Sequence, residues 1–290
     1  MRRIVSLLPA ATDIVAALGA ADRLVGRTHE CDWPPGLIDD VPVLTGTSVP
    51  ADASSREISR AIGGAAGAHT GSSLYQVDLD ALRDAAPDLV LTQDLCRVCA
   101  VSYRSISEAV RIQQLDTMVV SLEARTLDGI FRSMVDLGQL LRIDAEPLVE
   151  ELKRRLARLP GQRIGERSRP NVLFVEWLDP LMLGGHWVPE QIAWAGGRSV
   201  LSGSGRHSEP LEWSVFRTID PDLVVLGPCG FEPSRTEQEW ARARDRDEWR
   251  HLAAVRHDRV RIVDGPAYFN RPGPRVVDGA EILADLLSGM

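Results

Sequence analysis

The sequence predicts a two-lobed α/β protein, each lobe built on a Rossmann-like parallel sheet and the two joined by a long helix. Three observations predict it. Residues 81–96, ALRDAAPDLVLTQDLC, are echoed by residues 214–229, SVFRTIDPDLVVLGPC: a helical stretch, a Pro-Asp break, an apolar strand and then a cysteine. The strands of both copies lack polar alternation, as expected where helices cover both faces of a parallel sheet. Between the copies, Ile130, Met134, Leu137, Leu140 and Leu141 recur at helical spacing, and Leu148, Leu152 and Leu156 continue the pattern past Pro147.

From the amino end, residues 3–8 read as a first apolar strand, and residues 9–13 as the capped start of a helix. A second strand follows at 24–27. Residues 45–73, rich in Ala, Ser and Gly, read as a surface excursion. The first echoed unit then supplies a helix and the strand at 89–92. These elements make an amino-terminal lobe of residues 1–125, followed by a connecting helix within 126–165. An Arg-rich turn at 161–170 leads into a strand at 171–175, which opens a carboxy-terminal lobe of residues 166–290. In that lobe Trp240 and Trp249 are expected to pack the charged helix 237–250 down by their apolar bodies.

Composition narrows the function classes. A formal net charge of -8 argues against a nucleic-acid partner, which calls for a basic face. No stretch approaches the roughly 18 to 20 uninterrupted apolar residues of a membrane helix. Arg2 and Arg3 before an apolar run resemble an export signal, but Pro9 and Asp13 interrupt that run, which reads better as strand and helix. The expectation is therefore a cytoplasmic protein whose four cysteines stay reduced. The chain has no G-x-S-x-G elbow, no Walker loop and no G-x-G-x-x-G after a strand, so it carries no standard catalytic signature.

Ligands of open α/β sheets bind beyond the carboxyl ends of the strands. All four cysteines fall there: Cys31 after the strand at 24–27, Cys96 and Cys99 after 89–92, and Cys229 after 223–226. Four convergent thiolates would suit zinc or an iron–sulfur cluster, although a CxxC pair also serves redox chemistry and cysteines are often small buried hydrophobes. His29, Glu30 and Trp33 lie at the same edge of the first lobe. In the second lobe His186, Trp187, Tyr268 and Phe269 are the candidates, an imidazole as axial ligand to cobalt or iron and aromatic faces against a flat macrocycle. His207, His251 and His257 lie in polar, Arg-rich surroundings and read as surface residues.

Several motifs resemble one family along nearly the whole chain. They are residues 3–14, RIVSLLPAATDI; Asp32-Trp33-Pro34-Pro35; the two Pro-Asp-Leu-Val strands; residues 182–187, MLGGHW, with Ala195-Gly196-Gly197 downstream; and residues 269–276 before the last helix. In these the chain resembles the helical-backbone (class III) periplasmic binding proteins that serve ABC importers for cobalamin, haem and iron-siderophores, the cobalamin binders above all. The resemblance implies two lobes on a rigid connecting helix, a ligand in the interlobe cleft, and His186 in a loop at the cleft mouth. It also implies a permease partner met by an acidic residue on each lobe, near Asp80 and Glu212. At the place of an aromatic of the cobalamin binders stands Gln93. The function expected is binding of cobalamin or a related metal-tetrapyrrole, as solute-binding protein or as cytoplasmic carrier or sensor. The alternative is an enzyme or sensor with a metal or iron–sulfur cluster on Cys31, Cys96, Cys99 and Cys229.

Overall fold

The computed structural model describes residues 2–50, 52–67, 75–93, 103–112 and 116–290. The first part of the chain runs β1 (Ile4–Ser6), α1 (Pro9–Ala17), β2 (Leu24–Arg27), β3 (Thr45–Thr47), α2 (Ser55–Gly67), β4 (Tyr75–Val77), α3 (Leu79–Asp84), β5 (Leu89–Thr92), α4 (Tyr103–Ile112) and β6 (Met118–Ser121). Helices α5 (Leu127–Leu141) and α6 (Glu146–Arg158) follow. The remainder is β7 (Asn171–Trp177), β8 (Leu181–Leu183), α7 (Val188–Ala195), β9 (Arg198–Ser199), β10 (Pro210–Leu211), β11 (Leu223–Leu226), α8 (Pro233–Ala243), α9 (Asp247–His251), α10 (Ala253–Arg256), β12 (Val260–Ile262), α11 (Gly265–Tyr268) and α12 (Val276–Ser288).

Two compact units result, one of residues 1–53, 57–124 and 129–149, the other of residues 54–56, 125–128 and 150–290. The first holds a parallel sheet in the order β2-β1-β5-β6, with β3 and β4 as a separate antiparallel pair. The second holds a sheet in the order β10-β8-β7-β11-β12; β11 and β12 run parallel to β7, while β8 folds back antiparallel to it. Every residue of β1, β5 and β11 is buried, which accounts for their unbroken apolar sequence.

The echoed Pro-Asp has the same task in both units. Asp88 accepts the backbone N–H groups of Arg2 and Arg3 at 2.7 and 3.1 Å, and Asp222 accepts that of Asn171 at 2.7 Å. Each carboxylate thus satisfies donors at the start of its unit's central strand that the ladder leaves unpaired. Those N–H groups hold the Asp88 carboxyl below its ordinary range.

Two expectations about elements are corrected. The stretch 126–165 forms two helices, not one. Arg142 turns left-handed at φ 58°, and Ile143 N–H closes on Gly138 O at 2.8 Å, ending α5. Asp144 then accepts Glu146 N–H at 3.0 Å, and Pro147 sits in the first turn of α6. The stop and start signals outweigh the apolar period that runs across them. Residues 45–73 likewise contain a strand and a helix, β3 and α2, instead of an irregular excursion. The charged stretch 237–250 is divided between α8 and α9, but its tryptophans do pack it down: Trp249 on α9 is fully buried, with the Phe216 ring and the Trp240 ring of α8 at 4.7 and 5.0 Å.

Candidate functional site

At the carboxyl edge of the first sheet, β2 runs into residues 28–33. Thr45 Oγ1 gathers this segment: it accepts His29 N–H at 3.0 Å, meets His29 Nδ1 at 2.6 Å and meets Thr28 Oγ1 at 2.9 Å. Nδ1 of His29 is spent on that hydroxyl in either tautomer, and Nε2 stands 3.5 Å from the Glu30 carboxylate. His29 is thus held through its backbone N–H and Nδ1, with Nε2 beside the Glu30 carboxylate. Glu30 and Trp33 are half-buried in the same segment. Gln93 directly follows β5 and is buried.

Cys31 faces inward. Its Sγ lies 2.9 Å from the Thr12 hydroxyl, which in turn donates to Ser6 Oγ, and Ser6 donates to Leu8 O. The thiol is one link of a buried hydroxyl chain beneath α1, which corrects its assignment to a metal site. Cys96 and Cys99 lie outside the described residues. Cys229 follows β11, half-buried, its N–H donating to Glu176 O at 3.1 Å. Among the described residues no three His, Cys, Asp or Glu side chains are placed to hold a metal ion. A zinc or iron–sulfur centre, and the enzyme reading built on it, has no support.

The second unit arranges its edge differently. β8 returns along β7 and delivers Gly184 to Trp187. Gly185 N–H donates to Ser208 Oγ at 3.1 Å and toward Glu176 Oε2 at 3.4 Å, and Ser208 Oγ donates to the same carboxylate at 2.9 Å. His186, left-handed at φ 50°, donates its N–H to Arg206 O at 2.6 Å and accepts Gly205 N–H at 2.8 Å. The loop 203–208 is thereby strapped onto the loop 184–187. Its consequence is a histidine pair: His186 Nε2 and His207 Nδ1 are 3.1 Å apart, with the rings edge to face at 4.9 Å.

Burial, then the His207 and Arg125 charges, push His186 down to about 4, so the imidazole is neutral near pH 7. A neutral imidazole is the form that binds metals. Trp187 is buried, its ring 5.7 Å from His186, and it starts α7. Tyr268 is half-buried and ends α11, which Asp264 caps by accepting Ala267 N–H at 2.8 Å. Gln191, fully buried, donates to Tyr268 O at 3.0 Å and Val276 O at 2.7 Å, fixing the loop between α11 and α12 to α7. Phe269 is corrected from ligand face to core: it is 1% exposed and packs on Phe174 at 4.9 Å. Sequence reasoning missed Glu176 and the role of His207. A Gly-Arg-His-Ser run carries no periodicity to mark it, and only the strap brings it to His186.

Three comparisons bear on this arrangement. The structure of the periplasmic vitamin B12-binding protein BtuF of Vibrio cholerae superposes with a TM-score of 0.66 at 20% identity, covering 99% of this chain and 96% of that one. That of Staphylococcus aureus IsdE complexed with heme superposes at 0.72 and 18% identity, covering 99% of each. Both share the fold. An ABC transporter substrate-binding lipoprotein of Bacillus subtilis (strain 168) is 25% identical over 98% of this chain and 79% of its own length. Relatives named as periplasmic or as lipoproteins overturn the expectation of a cytoplasmic protein. That expectation rested on residues 4–6 being a strand, which they are, but a buried strand near the amino end says nothing about compartment. The argument for reduced thiols falls with it. The periplasmic binding protein family model matches residues 4–267, and the chain belongs to that family.

Proposed function

We propose that this protein is the substrate-binding component of an ABC importer and that its solute is a metal-tetrapyrrole, haem or a corrinoid such as cobalamin. The observation that carries the reading is the contact between His186 and His207, fixed where loop 203–208 is strapped onto the loop after β8, an imidazole donor suited to iron or cobalt. In the second unit Tyr268 offers a partly exposed aromatic face of the kind a flat macrocycle packs on, and in the first unit Trp33 is a partly exposed aromatic and Glu30 a partly exposed carboxylate. Relatives that bind vitamin B12 and heme support the ligand class. For the permease, Asp80 in the first turn of α3 and Glu212 ahead of β11 are exposed carboxylates able to meet arginines.

The test is a titration of the purified protein with hemin and, separately, with aquocobalamin, followed by absorption spectroscopy. A saturable spectral shift at one equivalent with either compound is expected. No shift with either overturns the ligand class.

A further inference from the structure

We infer that His207, through Nε2, is the metal ligand of this site, and that His186 is the residue that positions it. The inference rests on the proposed function for its ligand class and goes beyond it in naming the atom.

The reasoning starts from which nitrogens remain. The contact of 3.1 Å joins His186 Nε2 to His207 Nδ1, leaving His186 Nδ1 and His207 Nε2 for a ligand. These two are not equivalent. Nδ1 is the ring nitrogen nearest its own backbone, and the His186 backbone is strapped to Arg206 and Gly205 with Trp187 beside the ring. A tetrapyrrole is a disc on the order of 10 Å across whose metal lies at the centre, so the coordinating nitrogen must stand clear of the backbone. Nε2 is the distal atom of the ring, and His207 is exposed where His186 is half-buried.

Proton placement agrees with this choice. If His207 Nε2 gives its lone pair to the metal, its proton sits on Nδ1 and is donated to His186 Nε2. His186 then carries its own proton on Nδ1 and accepts through Nε2. Metal-bound histidines almost always donate their second N–H to a fixed acceptor, which sets the tautomer and strengthens the ligand. Here the acceptor is an imidazole. The chain on either side of His207 is also fixed: Arg206 O accepts from His186 N–H at 2.6 Å, and Ser208 Oγ is held between Gly185 N–H and Glu176. His207 is thus an exposed side chain on a pinned backbone.

The experiment titrates hemin into the parent protein, His207→Ala and His186→Ala, reading axial ligation from the absorption and electron paramagnetic resonance spectra. His207→Ala is expected to lose the imidazole-ligated spectrum, and 10 mM-range added imidazole to restore it. His186→Ala is expected to keep imidazole ligation with affinity lowered about 10- to 100-fold, the usual effect of removing the acceptor behind a ligating histidine. His186→Gln, which retains an acceptor oxygen, should recover part of that loss. Thermal melts of the free variants show whether each is folded, and His207→Ala, an exposed truncation, is expected to melt as the parent does. A His207→Ala protein that keeps the imidazole spectrum while His186→Ala loses it overturns this inference alone. A parent protein that binds neither hemin nor aquocobalamin overturns the proposed function and this inference together.

Discussion

Replacing Gly185 by alanine probes how closely the strapped loops must fit. A Cβ at this position would stand 2.5 Å from Arg206 O and 2.9 Å from both N and Oγ of Ser208. Carbon and carbonyl oxygen approach comfortably to about 3.3 Å, so the 203–208 segment must retreat by roughly 0.8 Å. The His186 N–H bond to Arg206 O, now 2.6 Å, would open past the range of a good hydrogen bond, and the 3.1 Å bond from Gly185 to Ser208 with it. Leaving a half-buried donor unpaired costs about 1 to 3 kcal/mol, and some strain remains in the displaced loop, so a destabilisation of about 2 to 3 kcal/mol is expected. In a protein of this size that lowers Tm by roughly 4 to 10 °C. His207 retreats with the loop, so hemin affinity should fall as well. Calorimetry and a hemin titration read the two effects. Gly203→Ala is the control, because its Cβ would meet nothing nearer than Arg206 Cδ at 3.7 Å. A Gly185→Ala protein that melts within about 1 °C of the parent and titrates identically would refute the claim that this contact sets the loop geometry.

Other outcomes follow from the same geometry. His186 has a folded-state value of about 4 against an ordinary 6.5, so protonation favours the unfolded chain. Stability of the free protein is therefore complete above pH 6.5 and declines as pH falls toward 4, by about 1 kcal/mol once solvent screening of a half-exposed ring is allowed for. Urea midpoints at several pH values in the parent and His186→Asn check it, the variant losing that part of the slope. Phe269→Ala should cost about 3 to 5 kcal/mol in denaturant melts, because the ring is buried against Phe174. Arg155 pairs with Asp278 and Glu281, tying α6 to α12 through half-buried groups; a double-mutant cycle of Arg155→Gln with Glu281→Gln should return about 1 kcal/mol. Cys31→Ala should lower stability by about 1 kcal/mol and leave the metal content of the purified protein, read by mass spectrometry, unchanged.

Much of the architecture was legible along the chain because it depends on local period and on punctuation. The unbroken apolar runs at β1, β5 and β11 announce strands buried on both faces, and the repeated Pro-Asp announces two similar units. Asp144 with Pro147 was legible too, as a stop and restart, although the apolar spacing from Ile130 to Leu156 argues for a single helix when read alone.

What the linear order could say about the site was which residues stand near the carboxyl ends of parallel strands, and His29, Cys31, Gln93 and Cys229 do stand there. It could not say which way a side chain turns once past the strand. Cys31 turns to Thr12, His29 turns to Thr45, and Phe269 turns to Phe174, because in each case a partner distant in sequence satisfies a polar group or fills a core gap. The pairing of His186 with His207 belongs wholly to tertiary structure. Two backbone hydrogen bonds between loops 20 residues apart in the chain decide it, and hydrogen bonds between separate loops leave no period in a sequence.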